Sequence, residues 1–315
     1  MPAKKLPDEV LLKSAEVYKK FGESAGARYL KITRESFQHR VRCCFERGFL
    51  TEKVYGIRRQ EVDGRLQLDL TDGTILVGSD AHYYPGIAST AHRAFVAMCK
   101  EIRPAAVVMN GDAFDGGSIS RYPRIGWDNK PTVKQELDAV EERLTEIEEA
   151  APNAQKFWPL GNHDARYETF LAQNAPQYEG VDGFSLKHKF PLWRPCWSLF
   201  VNDDVVIKHR YKSGIHAPHN NTMWAGRTMV TGHLHSLKVQ PMSDYNGTRF
   251  GVDTGTMAAP YGPQFTDYTE DNPTNWRSGF VLLTFHKGRL LWPQVCHVLD
   301  EQAGLVELGT HVFTV

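Results

Sequence analysis

The chain has 315 residues, 41% of them hydrophobic and 23% charged, which fits a folded globular protein and excludes a disordered or fibrous one. Its net charge is zero overall, but residues 1–60 hold fourteen Lys and Arg against seven Asp and Glu, while residues 61–315 hold 23 against 30. The chain therefore reads as a basic domain at 1–60 and a larger acidic one at 61–315, with the basic end facing a polyanion. No stretch is apolar enough for a membrane span, and the charged run from Lys4 to Glu16 excludes a secretory signal, so a cytoplasmic protein with no membrane partner is expected. The five cysteines are scattered and odd in number, unlike a paired zinc site or a disulfide framework.

Val10, Leu11, Ala15, Val17 and Tyr18 recur at helical spacing from Asp8 to Phe21, and Gly22 is expected to end that helix. A short helical segment from Glu23 to Leu30 follows. Thr33 then caps a third helix whose buried stripe is Phe37, Val41 and Phe45. The stretch Ala25 to Val41 resembles a helix-turn-helix, a motif whose second helix lies in the DNA major groove. That resemblance makes Arg34, Ser36, Gln38, His39, Arg40 and Arg42 the candidate DNA contacts. Lys31 occupies the turn position where such motifs usually carry glycine, so a plain helical docking domain is the competing reading.

A charged, irregular linker at 54–64 leads into the larger domain. Arg65 to Leu70 alternates like a strand, Asp72-Gly73 signals a hairpin, and Thr74 to Gly78 is a buried strand that delivers Asp80 and His82. Two residues apart on an extended segment, these side chains point the same way and can grip one metal ion. After an amphipathic helix at Ala88 to Ile102, the apolar strand Ala105 to Met109 ends in Asn110-Gly111-Asp112-Ala113-Phe114-Asp115. Glycine there lets the backbone approach a ligand closely, and the Asp112 carboxylate can bridge two cations. Arg121, Tyr122, Arg124 and Trp127 sit in a loop without periodicity, where surface packing outweighs substrate contact.

A long helix at Pro131 to Ala150 precedes a third strand, Gln155 to Leu160, which ends in Gly161-Asn162-His163-Asp164. Such a polar cluster is costly to desolvate unless each member has a partner. The chain is then irregular to Pro195, with Lys187, His188, Lys189, Trp193 and Arg194 as a possible substrate wall. A hairpin at Trp197–Val201 and Val205–Lys208 ends at His209, with His216 and His219 as competing ligands. Arg227 to Thr231 delivers Gly232-His233-Leu234-His235, a histidine spacing suited to metal binding. Later strands, including Arg249 to Asp253 and Gly279 to Phe285, are expected to complete a second sheet, and Gly251 to Thr256 either lies beside the metal loops or forms a tight turn. Trp224 and Trp276 read as core. Strand, polar loop and helix alternate, which argues for parallel pairing and for loops that converge at the carboxyl ends of the strands.

Asp80-x-His82, Gly111-Asp112-x-x-Asp115, Gly161-Asn162-His163-Asp164, His209 and Gly232-His233-x-His235 together resemble the calcineurin-like metallophosphoesterase family over about residues 75–256. The resemblance implies an α/β fold, a two-sheet αββα sandwich, with the small all-α helix-turn-helix-like domain before it. It implies that Asp80, His82 and His235 hold one divalent metal, that Asn162, His209 and His233 hold another, and that Asp112 bridges them. His163 would contact phosphate and act as acid, Asp164 would fix its tautomer, and Asp115 would stand behind the ligands. The resemblance makes Mn²⁺ the expected ion, with Fe²⁺, Zn²⁺ or Ni²⁺ as alternatives, and mixed carboxylate, imidazole and amide donors suit such borderline ions.

The expected function is a dinuclear-metal phosphodiesterase, a DNA nuclease that holds its nucleic acid with the N-terminal domain. The alternatives are a phosphatase or phosphodiesterase on nucleotides or phosphoproteins, and a DNA-binding regulator with an inactive phosphoesterase core. The pairing of the two domains also resembles bacteriophage gene products.

Overall fold

The chain divides into two units, Met1–Asp63 and Gly64–Val315. The structure, a computed structural model, describes residues 6–50, 64–122, 130–270 and 272–315, and at 20–26, 28, 34, 267 and 268 it describes the backbone alone. The predicted linker, apart from its last residue, and the loop residues Arg124 and Trp127 lie outside the described residues. Among the described residues no helix is long and apolar enough to cross a membrane.

The first unit contains two helices, α1 (Asp8–Tyr29) and α2 (Arg34–Glu46). This corrects the expected three: α1 runs through Gly22 without a break. One glycine inside a helix costs about 1 kcal/mol relative to alanine, which is too little to end a helix whose other turns are packed. Leu11, Ala15 and Tyr18 of α1 meet Phe37, Val41 and Cys44 of α2, each set at i, i+4, i+7 spacing, and bury one shared seam. Thr33 caps α2 by accepting from the Ser36 N–H at 3.2 Å, and Lys31 takes a left-handed φ of 53° at the turn. Lysine thus adopts the conformation for which glycine is the usual choice.

In the second unit the elements follow as β1 (Arg65–Leu68), β2 (Gly73–Gly78), α3 (Thr90–Ile102), β3 (Ala106–Met109), α4 (Val133–Ala150), β4 (Gln155–Pro159), α5 (Asp164–Asn174), α6 (Leu186–Lys189), β5 (Arg194–Cys196), β6 (Ser198–Val201) and β7 (Val205–Ile207). The chain continues through α7 (Ala217–Ala225), β8 (Thr228–Thr231), β9 (Lys238–Asp244), β10 (Gly247–Asp253), α8 (Thr266–Thr269), β11 (Gly279–His286), β12 (Arg289–Leu290), β13 (Gln294–Asp300), β14 (Leu305–Leu308) and β15 (His311–Thr314). Helices α5 and α6 occupy the stretch that sequence reading left irregular.

Two mixed sheets result. One has the order β1-β6-β7-β8-β10-β9, and the other β15-β14-β13-β11-β2-β3-β4-β5 with β12 on β11. Asp72-Gly73 does not close a hairpin, because β1 pairs in parallel with β6 in one sheet while β2 pairs with β3 and β11 in the other. The later strands complete both sheets rather than a second one alone: β9 and β10 join the first and β11 to β15 the second. Both corrections have one cause: apolar alternation marks which face is buried, but not which sheet a strand enters.

The alternation does set the layers. On β2 and β3, Ile75, Val77, Ala106 and Val108 point between the sheets, with Leu199, Val201, Ile207 and Val252 opposite. Leu76, Val107 and Met109 point the other way, onto a core with Phe95 of α3 and Leu137, Val140 and Leu144 of α4. Helix α7 packs beside β8 and β10 on the other sheet. The layering is αββα, and β2, β3 and β4 run parallel so that their carboxyl ends open at one edge.

Candidate metal centre

The strand ends of β2, β3 and β4 are stitched together by the backbone. The Asp80 N–H donates to Gly111 O at 2.8 Å and the His82 N–H to Asp112 O at 2.9 Å. The His163 N–H donates to Asp112 Oδ1 at 2.8 Å. Two close approaches require glycine: a Cβ on Gly161 would lie 1.9 Å from Asp112 Oδ1, and one on Gly111 would lie 2.3 Å from the His209 ring. Asp80, His82, Asp112, His233 and His235 all have positive φ, at 52°, 38°, 53°, 72° and 55°. Left-handed backbone at non-glycine residues costs on the order of 1–3 kcal/mol each and persists where surrounding structure enforces it.

That backbone gathers the side chains into two adjoining sets, with His82, Asp115 and His163 as a third beside them. Asp80, His82 and His235 bring their donor atoms within 4.8 Å of one another, and so do Asp112, His209 and His233. The sets meet at Asp80 Oδ1, which lies 3.1 Å from His235 Nε2 and 3.9 Å from His209 Nε2. Asn162 joins Asp112, His82, His163, His233 and His235 in the wall of one small cavity of about 90 Å³, closed by Phe265 and Trp276. Of the three competing histidines His209 is the one in the cluster, whereas His216 is exposed and His219 half-buried on α7.

These residues fit a pair of cations. His209 Nδ1 donates to Asn110 O at 2.8 Å, which leaves Nε2 3.0 Å from Asp112 Oδ2 without hydrogen-bonding alignment. Donors of a cation bound at about 2.1 Å sit about 3 Å apart. Among the described residues, the buried Asn162 Oδ1 and His235 Nδ1 also have no hydrogen-bond partner. Burial opposes charge on His209, but Asp112 and Asp80 outweigh it and push its pKa up to about 10. The field that holds that proton is one a divalent cation would satisfy in its place.

Behind the ligands, one sequence-derived role changes. Asp164 does not hold His163: its Oδ2 accepts from the N–H groups of Asp112, at 2.8 Å, and Gly161, at 2.8 Å, and from Trp158 Nε1 at 3.0 Å, and its Oδ1 accepts from the Phe114 N–H at 3.1 Å. As the first residue of α5 it points back under the site, and burial and the neighbouring Asp112 push its pKa up to about 6. The residue that holds His163 is Asp115: His163 Nδ1 donates to its main-chain O at 3.0 Å and lies 2.8 Å from its Oδ1, which also accepts from His82 Nδ1 at 2.9 Å. The same tie fixes the His82 tautomer and leaves its Nε2 for a cation. Burial works against charge on His163, but Asp115 and Asp112 raise its pKa overall.

Sequence reading passes over Arg166 and Phe265 here and takes Trp276 for core. Arg166 Nη1 donates to Asp115 O at 2.9 Å and its Nη2 to His163 Nε2 at 3.1 Å. Its i+3 spacing from His163 was the available signal, given a helix at that point. Phe265 stacks edge-on to His82 at 5.0 Å, and Trp276 lies 4.5 Å from His235, so Trp276 lines the site and is not core. Trp224 is not core either, being 66% exposed. Gly251 to Thr256 does lie beside the metal loops, with the Thr256 hydroxyl donating to Asp80 O at 2.6 Å. Among the supposed substrate wall, Trp193 is buried and bonded to Glu148, while Lys187, His188 and Arg194 line a separate cavity.

The sequence model described as calcineurin-like phosphoesterase matches residues 73–246. Among solved structures, one that is similar is the crystal structure of wild-type Vps29 complexed with Zn²⁺ from Entamoeba histolytica, 14% identical, covering 75% of this chain and 97% of that chain at a TM-score of 0.40. No curated protein matches the chain.

Proposed function

The chain belongs to the calcineurin-like phosphoesterase family, and from that footing we propose that it is a dinuclear-metal phosphodiesterase acting on nucleic acid, specifically a DNA nuclease. The observation that carries this reading is the cavity on which Asp112, Asn162, His82, His163, His233 and His235 converge. Asp80, His82 and His235 would hold one cation, and Asp112, His209 and His233 the other, with Asn162 in the wall of the same cavity. When bound, two such cations supply an activated water and neutralise phosphoryl oxygens during in-line displacement.

The chain's own groups supply the rest. Asp115 fixes the Nδ1 proton of His163, so proton transfer to the leaving oxygen runs through Nε2. Arg166 Nη2 lies 3.1 Å from that same nitrogen, so its N–H would have to turn to a phosphoryl oxygen before Nε2 could carry and give up a proton, and its charge would then be offered to the phosphate. Phe265 and Trp276 cover the His235 side and restrict water. The proposed ion is Mn²⁺, and the imidazole-rich donor set also suits Fe²⁺, Zn²⁺ and Ni²⁺.

DNA as substrate rests on the basic charge of residues 1–60 and on α2, where Ser36, His39 and Arg42 are exposed and Gln38 and Arg40 half-buried. The Arg34 side chain lies outside the described residues. The test is hydrolysis of duplex and single-stranded DNA with Mn²⁺ by the full chain and by Arg40→Glu/Arg42→Glu. DNA cleavage that weakens in the variant supports the reading, and the absence of any cleavage of DNA sinks it. The acidic balance of residues 61–315 favours a second reading, a phosphodiesterase on nucleotides or a phosphatase on phosphoproteins. Faster turnover of cyclic nucleotides or phosphopeptides than of any DNA would select it.

A further inference from the structure

From Val205 to Ser243 the chain contains no Asp or Glu, yet it holds Lys208, Arg210, Lys212, Arg227 and Lys238 within a domain that is acidic as a whole. Three of these cations follow directly on β7 and flank the ligand His209. Their side chains form a connected surface. Lys208 Nζ lies 5.8 Å from the centre of the Tyr211 ring and Lys212 Nζ 5.6 Å from it, and Lys212 Nζ also sits 4.5 Å over the Trp224 ring. Tyr211 is 47% exposed and Trp224 66%, with Met223 and Ile215 exposed beside them. Among the described residues, Lys208, Arg210 and Lys212 make no salt bridge with a carboxylate. Arg210 is close enough to act electrostatically on both Lys208 and the ligand His233, which ties the surface to the metal centre.

We propose that Lys208, Arg210, Tyr211, Lys212 and Trp224 form a track that holds a single-stranded nucleic acid segment running into the metal centre. The cations take the backbone phosphates and the two aromatic faces stack bases. This rests on the nucleic-acid reading above and deepens it, because it puts strand recognition in the catalytic unit. Exposed cations alone would suit any polyanion. Two exposed aromatic faces interleaved with them suit bases, since every base has a face to stack and the arrangement tolerates any sequence. An acidic peptide would gain the charge but make no use of the exposed surface of Tyr211 and Trp224.

The test uses the full chain and Tyr211→Ala/Trp224→Ala, with Mn²⁺. It compares kcat/KM on a labelled oligothymidylate with kcat/KM on bis-p-nitrophenyl phosphate, which is too small to reach the track. The expected ratio of the two falls about tenfold or more for each aromatic removed. Binding of the oligonucleotide should weaken with salt, and Lys208→Gln/Arg210→Gln/Lys212→Gln should flatten the log–log slope by about 2, as expected for three phosphates on a single strand. An unchanged ratio in the aromatic variant overturns the track even if DNA is cut, and polyglutamate that displaces the oligonucleotide at equal charge overturns it in favour of an acidic peptide. Turnover of the small diester with no cleavage of any nucleic acid overturns both the track and the nuclease reading, but leaves the phosphodiesterase standing.

Discussion

Replacing Asp164 by Asn separates the two carboxylates near His163. Asp164 Oδ2 accepts three hydrogen bonds and Oδ1 one, all from buried donors on the converging loops. Asparagine serves the three-donor side best with its amide oxygen, and its NH₂ then faces the Phe114 N–H. One buried donor loses its acceptor, at about 1–3 kcal/mol, and three bonds lose charge assistance, at a further fraction of 1 kcal/mol each. Some of this is returned, because burial and Asp112 already disfavour the ionised carboxyl and push its pKa up to about 6. A net loss of about 2 kcal/mol corresponds to about 4–8 °C in Tm for a domain of this size. Thermal unfolding followed by circular dichroism should show that fall, while the pH profile of kcat on bis-p-nitrophenyl phosphate keeps its shape. An unmoved Tm with kcat reduced as far as in His163→Ala would refute the assignment and restore Asp164 as the partner of His163.

Asp115→Asn should do the converse, cutting kcat by a factor on the order of 10–100 and shifting its pH profile with little change in Tm, since the oxygen that His82 and His163 share loses its negative charge. Gly161→Ala forces Asp112 to move by well over 1 Å from a Cβ that would sit 1.9 Å from its Oδ1, and a fall of about 100-fold or more in kcat/KM with reduced bound metal is expected. Retained turnover would show that Asp112 is not where the metal is held. Glu136 accepts from the Gly116 and Gly117 N–H groups while burial and Asp115 push its pKa up to about 7. The folded state therefore keeps a proton that the unfolded chain, with a carboxyl near 4.3, releases, so this group's contribution to stability declines as pH rises through roughly 4.3 to 7. In chelator, the stability of wild type relative to Glu136→Gln should fall across that window, and a gap that does not vary with pH would contradict it.

The site was legible because its ligands stand at strand ends in short polar groups. Asp80-x-His82 and His233-x-His235 each follow an apolar run, and period-two geometry says where such side chains point. The partners behind them were not legible in the same way. Asp164 follows His163 directly, yet as the first residue of α5 it turns beneath the loops, and Asp115, 48 residues upstream, takes its expected place. Contacts between strand ends distant in sequence carry no local signal. Trp276 and Phe265 reach the centre from connections that have no periodicity at all. In the fold, the buried stripes on α1, α2, β2 and β3 followed from spacing, while sheet membership did not, because β1 and β2 are separated by a four-residue connection and still part company. Gly22 misled for a simpler reason: a propensity penalty of about 1 kcal/mol is outweighed by packing along the rest of the helix.

The central claim is that the converging loops hold two cations that act together on a phosphodiester. Its most direct measurement strips the protein with chelator and titrates Mn²⁺ back while following bis-p-nitrophenyl phosphate hydrolysis and bound metal. The account predicts no turnover in chelator and full turnover only as the bound metal reaches about two ions per chain, in keeping with a two-metal site. Turnover that survives chelation, or that is complete with one ion bound, would contradict it.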